Sequence, residues 1–339
     1  MDAAKPTTAV VIGRFQPFHN GHAGLLDRAF EAADQVVLVL GSAFSARSPR
    51  NPFSATDRET MIRSALPEDK NQRLVVVPQR DVWGARRWAG EVRAKVEDVA
   101  TGDVALVGFH KDASSYYLDL FPGWTLVEAG RQGHWDATPV RDRILSRLPW
   151  DEVRETLVSD VPLPVLAWLE TWSREPHRVE LAEDADVIRN YSTRWGKGPF
   201  LTVDSLVRCA GKILLITRGK RPGQGLWALP GGFLESQESM LDGARRELRE
   251  ETGLDLFGQE PMDQKYFDHP GRSLRARIVT QVFRFELALE QPPEVVGQDD
   301  AGIARWMTVD EIREAEDKFF EDHFHLLDTM LGGVAAEGT

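Results

Sequence analysis

Cysteine is almost missing from this chain. Cys209 is the single one in 339 residues, which excludes a disulfide within the chain and fits a reducing compartment. It stands in SLVRCAGKILLIT, where a strand residue is the expectation rather than a nucleophile. Excess positive charge is missing too. Lys and Arg number 41 against 53 Asp and Glu, a formal charge of −12, so the electrostatic footprint of a duplex binder is lacking and no nucleic-acid partner is expected. The N-terminus carries Asp2 and no long apolar run, so neither a signal peptide nor a membrane span is expected, and cytoplasmic is the expected location. Internal repeats and low-complexity tracts are also missing. Small anionic substrates stay open, because a pocket can be locally basic or hold a metal.

What is present divides into two halves. A chain of 339 residues is long for one domain. Residues 1–150 carry 19 Lys and Arg against 18 Asp and Glu, and the remainder carries 22 against 35, so the acidity lies almost wholly in the second part. In the first part, TAVVIG, QVVLVLG, RLVVVP and DVALVG read as buried strands. They alternate with helical patterns at HNGHAGLLDRAFEAA, ATDRETMIRSAL and ARRWAGEVRAKVEDVA. That alternation predicts an α/β fold with a doubly wound parallel sheet. ATPVRDRILSRL closes this half, with Thr138 as expected N-cap and Pro139 at the first helical position. Residues 150–198 hold short helical patterns broken by prolines. Trp150, Trp168, Trp172 and Trp195 suggest that this stretch is packed. From Phe200 the texture changes to alternating strands around one helix.

That helix carries the most specific pattern. Within GFLESQESMLDGARRELREETGL, Gly232 is followed after five residues by Glu238, then after seven by Arg246 and Glu247, Leu248, Glu250, Glu251, Gly253 and Leu254. Ser236 is the expected N-cap, and Gly253 suits the left-handed position past the last turn. Glu250 and Glu251 fall three and four residues after Glu247, which puts three carboxylates on one side. Met240, Leu241, Ala244 and Leu248 form an apolar stripe on another. Like charges at this spacing cost an isolated helix roughly a few tenths of a kcal/mol per pair. A hard divalent cation held by carboxylate oxygens would offset that, and Mg²⁺ so held keeps waters free for phosphate oxygens.

This stretch resembles the Nudix box, G-x5-E-x7-R-E-U-x-E-E-x-G-U with U a bulky aliphatic residue, and matches all nine specified positions. The resemblance implies an α/β/α sandwich hydrolase that cleaves nucleoside diphosphates linked to another group. Mg²⁺, with Mn²⁺ as an alternative, would be held on Glu247, Glu250 and Glu251, with Glu238 assisting. Arg246 would orient the glutamates, and Gly232 and Gly253 would be structural. Members differ in the general base. Here the candidates are Glu250 or the loop acids Glu294, Asp299 and Asp300 of PPEVVGQDDA.

GRFQPFHNGH, Gly13 to His22, follows the first strand. His19 and His22 stand three apart at the opening of a helix, where free amides and the dipole favour phosphate, at the strand end where doubly wound sheets bind ligands. The stretch resembles the nucleotidylyltransferase signature. With LGSA, NPFSATDR and GFHKDASSYYLDLFPGW it is similar to nicotinamide mononucleotide (NMN) adenylyltransferases fused to a Nudix domain. The implied organisation is a nucleotidylyltransferase domain at 1–150, a packed helical linker at 151–198 and a Nudix domain at 199–335. The implied chemistry is ATP plus NMN giving NAD and pyrophosphate. His19, His22 and Arg141 would hold the triphosphate, with Thr138 beside Arg141 in a second phosphate motif that reads DATPVR here rather than a serine-rich form. Gly13, Arg14, Phe15 and Arg47 are further ATP or NMN contacts, and Trp83 or Trp88 could stack on the nicotinamide ring. Lys111 and Asp112 would line the same edge.

For the hydrolase half, RGKRPGQGLWALPGGFLE resembles ADP-ribose-directed members, and Arg272, Arg275 and Arg277 are candidates either to meet phosphates or to be solvated strand residues. ADP-ribose is the expected substrate, yielding AMP and ribose 5-phosphate. Two alternatives stand beside this: an ADP-ribose- or NAD-sensing module in place of the hydrolase, and a different phosphate acceptor in the first half. A homo-oligomer is compatible with the sequence.

Overall fold

A computed structural model describes residues 6–110, 113–130 and 135–334. Two compact units divide the chain, Met1–Ala182 and Glu183–Thr339.

The first unit runs β1 (Thr8–Gly13), α1 (Asn20–Ala32), β2 (Gln35–Leu40), α2 (Ala55–Ser64), α3 (Glu68–Gln72), β3 (Leu74–Pro78), α4 (Ala85–Val99), β4 (Val104–Gly108), a 3₁₀ segment (Ala113–Leu120), β5 (Thr125–Glu128), α5 (Ala137–Ile144), α6 (Trp150–Leu157) and α7 (Leu163–Trp172). The strands form one parallel sheet in the order β3-β2-β1-β4-β5. Near-continuous apolar strands are what a sheet covered on both faces requires. Ala9, Val11, Val36 and Leu38 face α1, α2, α6 and α7, whereas Val10, Ile12, Val37 and Val39 face α4 and the 3₁₀ segment. The connections run outward from β1 to β3, then cross back to β4. The strand order therefore reverses beside β1, at the carboxyl end where His19 and His22 lie.

Three local expectations change. The N-cap of α5 is Asp136, whose carboxylate accepts the amide of Thr138, so Thr138 and Pro139 lie inside the first turn. The short strand β5 was not anticipated from TLVE, four residues with little buried surface. Residues 151–198 contain three substantial helices, since Pro149 and Pro162 stand at N-caps and Pro176 opens α8 (Pro176–Trp195), where a missing N–H costs nothing. Val153, Leu157, Val165, Leu166, Leu169 and Trp172 from α6 and α7 belong to the same core as β1 and β2. Trp195 is exposed.

The second unit holds most of α8, then β6 (Phe200–Cys209), β7 (Lys212–Arg218), β8 (Trp227–Ala228), β9 (Gly231–Phe233), α9 (Met240–Thr252), β10 (Asp263–Phe267), β11 (Ile278–Leu287), β12 (Ala301–Thr308), α10 (Val309–Glu314) and α11 (His323–Leu331). The sheet order is β10-β11-β6-β7-β12, with β8 on β7 and β9 on β6, and only β11–β6 among these pairs is parallel. Helix α9 seats Ala244 and Leu248 against Val203, Val207 and Leu214. Phe319, Leu326 and Leu327 cover the other face against Leu206 and Leu215. The result is the α/β/α sandwich, though α10 and α11 add helices where one was expected. Ser239, not Ser236, caps α9: its hydroxyl accepts from the Asp242 amide, because residues 235–238 are drawn into a turn closed by Glu235 N–H on Glu238. Gly253 takes the left-handed conformation, φ 74°. Among the described residues, no helix is long and apolar enough to cross a membrane.

Candidate active sites

The loop after β1 is built around Phe15, which is buried at a positive φ of 52°. Its ring would lie 2.9 Å from a side-chain carbon at Gly13, so only glycine leaves room there. Phe15 meets the His22 ring edge-on at 4.7 Å, and His22 stacks on His19 with centroids 3.6 Å apart. His19 is the N-cap of α1, and its backbone amide donates to His22 Nδ1 at 3.4 Å, which ties the His22 ring to the helix start. Gln16 clamps this loop to the NPF segment, donating to the Phe53 carbonyl at 2.8 Å and accepting its amide at 3.0 Å. Arg141 reaches in from α5, donating to the Gln16 carbonyl and the Thr138 hydroxyl, both at 2.9 Å.

Cationic charge converges here. Burial pushes the Arg14 guanidinium down to about 10, and Arg50 and Arg141 push the same way against Asp81. Arg141 is lowered by burial and by Arg50, against Asp142 and Asp136. Among the described residues, none of these three arginines has a carboxylate at ion-pair distance; Asp81, Asp136 and Asp142 act on them only from further away. Arg47, by contrast, is committed to Asp57 at 2.6 Å and to the Pro52 carbonyl at 2.7 Å. Arg50 was the residue missed, although it directly precedes NPF. Arg58 was missed as well. Fully buried, it donates to the carbonyls of Arg14, Gly41, Ser42 and Ser54 and so sets the loops after β1 and β2. Trp88 packs edge-on against Tyr117 and Phe121 in the α4-side core, and Trp83 is half-buried in the turn before α4. Lys111 and Asp112 lie outside the described residues.

In the second unit Arg246 is the hub of the acidic helix. It grips both oxygens of Glu238 at 2.9 and 2.7 Å, reaches Glu247 and Glu250 at 2.9 Å each, and donates to the Phe233 carbonyl at 3.1 Å. These contacts hold Glu238 below the usual carboxylate range. Glu251 instead accepts the Gly231 amide at 2.8 Å. Burial pushes its carboxyl up to about 8; the Gly231 amide pulls the other way, while the neighbouring Glu247 and Asp204 add to the rise. Glu247 is raised too, by burial first. Gly231 is obligatory, since a side-chain carbon there would lie 2.2 Å from the Val203 carbonyl, and one at Gly232 would lie 2.4 Å from the Glu247 carboxylate and displace it.

Among the described residues no three acidic, His or Cys side chains are gathered at metal-binding distance, because Arg246 and the Gly231 amide hold the carboxylates apart. The chemistry of the set nevertheless fits a hard cation. Glu247 and Glu251 are buried oxygen donors that disfavour each other's charge, and a divalent ion would relieve both. The acid-bearing loop is anchored to the end of α9 by Val296 N–H on the Thr252 carbonyl and Gln298 N–H on the Glu251 carbonyl, at 3.2 and 3.0 Å. Asp300 is paired with Lys220, Asp299 sits at φ 49°, and Glu294 is exposed.

A basic wall that the sequence reading did not assemble stands near these carboxylates. Arg218 lies 3.9 Å over the Phe320 ring and Arg275 5.2 Å from it. Burial and Arg275 push Arg218 down to about 10, against Glu321, Glu251 and Asp184. Arg275 pairs with Glu321 at 3.2 Å. Arg272 is used differently: it makes a buried two-point pair with Asp322 at 3.0 and 2.9 Å. Arg277 donates to the Asp268 carbonyl.

Comparison with known proteins covers both units. A Cytidylyltransferase-like family model matches residues 10–116, and a NUDIX domain model matches residues 200–330. The nicotinamide/nicotinic acid mononucleotide adenylyltransferase of Acinetobacter baylyi is 38% identical over 136 residues, 39% of this chain and 72% of that protein. A nicotinamide-nucleotide adenylyltransferase of Thermoplasma acidophilum is 29% identical over 49% of this chain and 87% of its own length. The crystal structure of a bifunctional NMN adenylyltransferase/ADP ribose pyrophosphatase from Francisella tularensis superposes with a TM-score of 0.88 at 29% identity, covering 97% of this chain and 100% of that one. A second structure of that protein, complexed with AMP and a manganese ion, gives 0.87 over 96% and 99%.

Proposed function

Since this chain belongs to the NMN adenylyltransferase family and carries a Nudix domain behind it, we propose that it makes NAD with its first unit and hydrolyses ADP-ribose with its second. In the first reaction a phosphate oxygen of NMN attacks the α-phosphorus of ATP and the β,γ-pyrophosphate leaves, with no covalent enzyme intermediate. Catalysis is then positioning and charge stabilisation. His19 and His22, fixed as a stacked pair at the start of α1, donate to the triphosphate, while Arg14, Arg50 and Arg141 neutralise it. The observation that carries this half is the convergence of Arg14, Arg50 and buried Arg141, none with a carboxylate at ion-pair distance among the described residues, beside the histidine pair.

In the second reaction water attacks a diphosphate phosphorus of ADP-ribose, releasing AMP and ribose 5-phosphate. A divalent cation, Mg²⁺ or Mn²⁺, held by Glu247, Glu250 and Glu251 supplies Lewis-acid neutralisation of the diphosphate charge. Arg246 keeps Glu247 and Glu250 in place, and the Gly231 amide orients Glu251. Arg218 and Arg275, gathered on the Phe320 ring near these carboxylates, offer charge to the substrate.

One crossed experiment tests both halves. With purified protein and Mg²⁺, His22→Ala is expected to abolish NAD formation from ATP and NMN while ADP-ribose hydrolysis persists, and Glu251→Gln to do the reverse. Wild-type protein that makes no NAD overturns the first assignment. Hydrolysis that survives Glu251→Gln overturns the second.

A further inference from the structure

Helix α8 lies before the NUDIX match, which begins at residue 200, yet its second half belongs to the hydrolase unit. Asp184 on this helix is 6% exposed and spends both oxygens on the loop that leaves β7: Oδ1 accepts from Arg221 Nη1 and Oδ2 from the Gly223 amide, each at 3.0 Å. Glu183 adds a second carboxylate to Arg221 at 2.6 Å. The loop so held is the one that fixes Arg218. Its Nε donates to the Pro222 carbonyl at 3.0 Å, and its own carbonyl and amide close onto Gly225 and Leu226 at 2.8 and 2.9 Å. Gly223 is bound to this geometry, because at φ 77° a side-chain carbon there would lie 2.3 Å from the Phe320 ring that carries Arg218.

Arg218 has no carboxylate at ion-pair distance among the described residues, so its direction is set by Phe320 and by the Pro222 carbonyl. We propose that Asp184 is a positioning residue for the hydrolase: through Arg221 and Gly223 it fixes the Pro222 carbonyl, and thereby aims the Arg218 guanidinium at the anionic substrate. Helix α8 is then a working part of the hydrolase, outside the segment that defines its family. This inference rests on the proposed ADP-ribose hydrolysis.

A double-mutant cycle on the full-length protein tests it. Asp184→Ala is expected to raise KM for ADP-ribose roughly tenfold while kcat stays within about twofold, as loss of a charged hydrogen-bonding partner of a binding group should. Asp184→Asn, which keeps an acceptor for the Gly223 amide, is expected to recover part of the loss. In an Arg218→Ala background Asp184→Ala should add nothing further. NAD formation by the same preparations should be unchanged, and the retained kcat for ADP-ribose reports an intact hydrolase unit. The proposal is overturned if KM is unaltered, if kcat falls instead, or if the two substitutions add independently. ADP-ribose binding to Glu251→Gln protein, read as the part that Arg218→Ala removes, separates the two readings. Wild-type protein that cleaves no ADP-ribose sinks the activity, whereas Asp184→Ala that leaves this binding unweakened sinks the positioning role.

Discussion

Glu251 shows how a single carboxylate couples site chemistry to stability. An ordinary glutamate loses its proton near 4.5, but burial, Glu247 and Asp204 raise this one to about 8 despite the Gly231 amide. A folded-state value above the unfolded one means that the native protein binds the extra proton between those pH values. Stability of the metal-free hydrolase unit should therefore fall as pH rises from about 4.5 to 8 and level off beyond. Asp322, raised from 3.8 to about 6, contributes in the same direction at lower pH. We expect a lower melting temperature at pH 8 than at pH 6 without metal, recovery at pH 8 on adding Mn²⁺ or Mg²⁺, and a flatter profile for Glu251→Gln. Equal or higher metal-free stability at pH 8 contradicts this account. The residues behind it were only partly legible. The box spacing marks which glutamates matter, but Asp204 and Asp322 reach the site through sheet pairing and a terminal helix, and no local pattern announces either.

Elements were read well where periodicity decided them and poorly where a side chain chose between neighbouring options. The alternating strands and helices of the first unit follow from near-continuous apolar strands and amphipathic helices, which is why the doubly wound sheet was expected. Cap positions are different. Ser236 and Ser239 are both acceptable N-caps, and the choice falls to Ser239 because Glu238 is held by Arg246 and by the Glu235 amide. Ser239→Ala should cost about 1 kcal/mol of hydrolase-unit stability, whereas Ser236→Ala should change it by well under that, as read by denaturant melts. The same limit applied at α5, where Asp136 displaced Thr138 as cap and left its hydroxyl to receive Arg141. Arg50 escaped notice for a related reason. Sequence order does not say which of two arginines, 47 or 50, Asp57 will claim.

At the scale of the whole chain, packing puts a boundary where composition gave none. The proline-punctuated stretch from 151 to 198 offers no apolar period long enough to signal a core, yet α6 and α7 supply Leu157, Val165, Leu169 and Trp172 to the first unit. A fragment ending at residue 150 should be insoluble or unfolded, because it exposes the α1 and α2 surfaces those helices cover. A fragment ending at Ala182 should melt cooperatively and form NAD. Soluble, active protein from residues 1–150 would show that α6 and α7 are dispensable.

The second unit also contains its own stopwatch. Cys209 ends the central strand β6 with no exposed surface, its sulfur 3.9 Å from the Leu289 carbonyl, and the chain has no other thiol to confuse the signal. A thiol reagent can reach that sulfur only when the strand opens. The rate at which native protein consumes the reagent is thus a direct clock for opening of one unit in a two-unit chain, readable without denaturant or label.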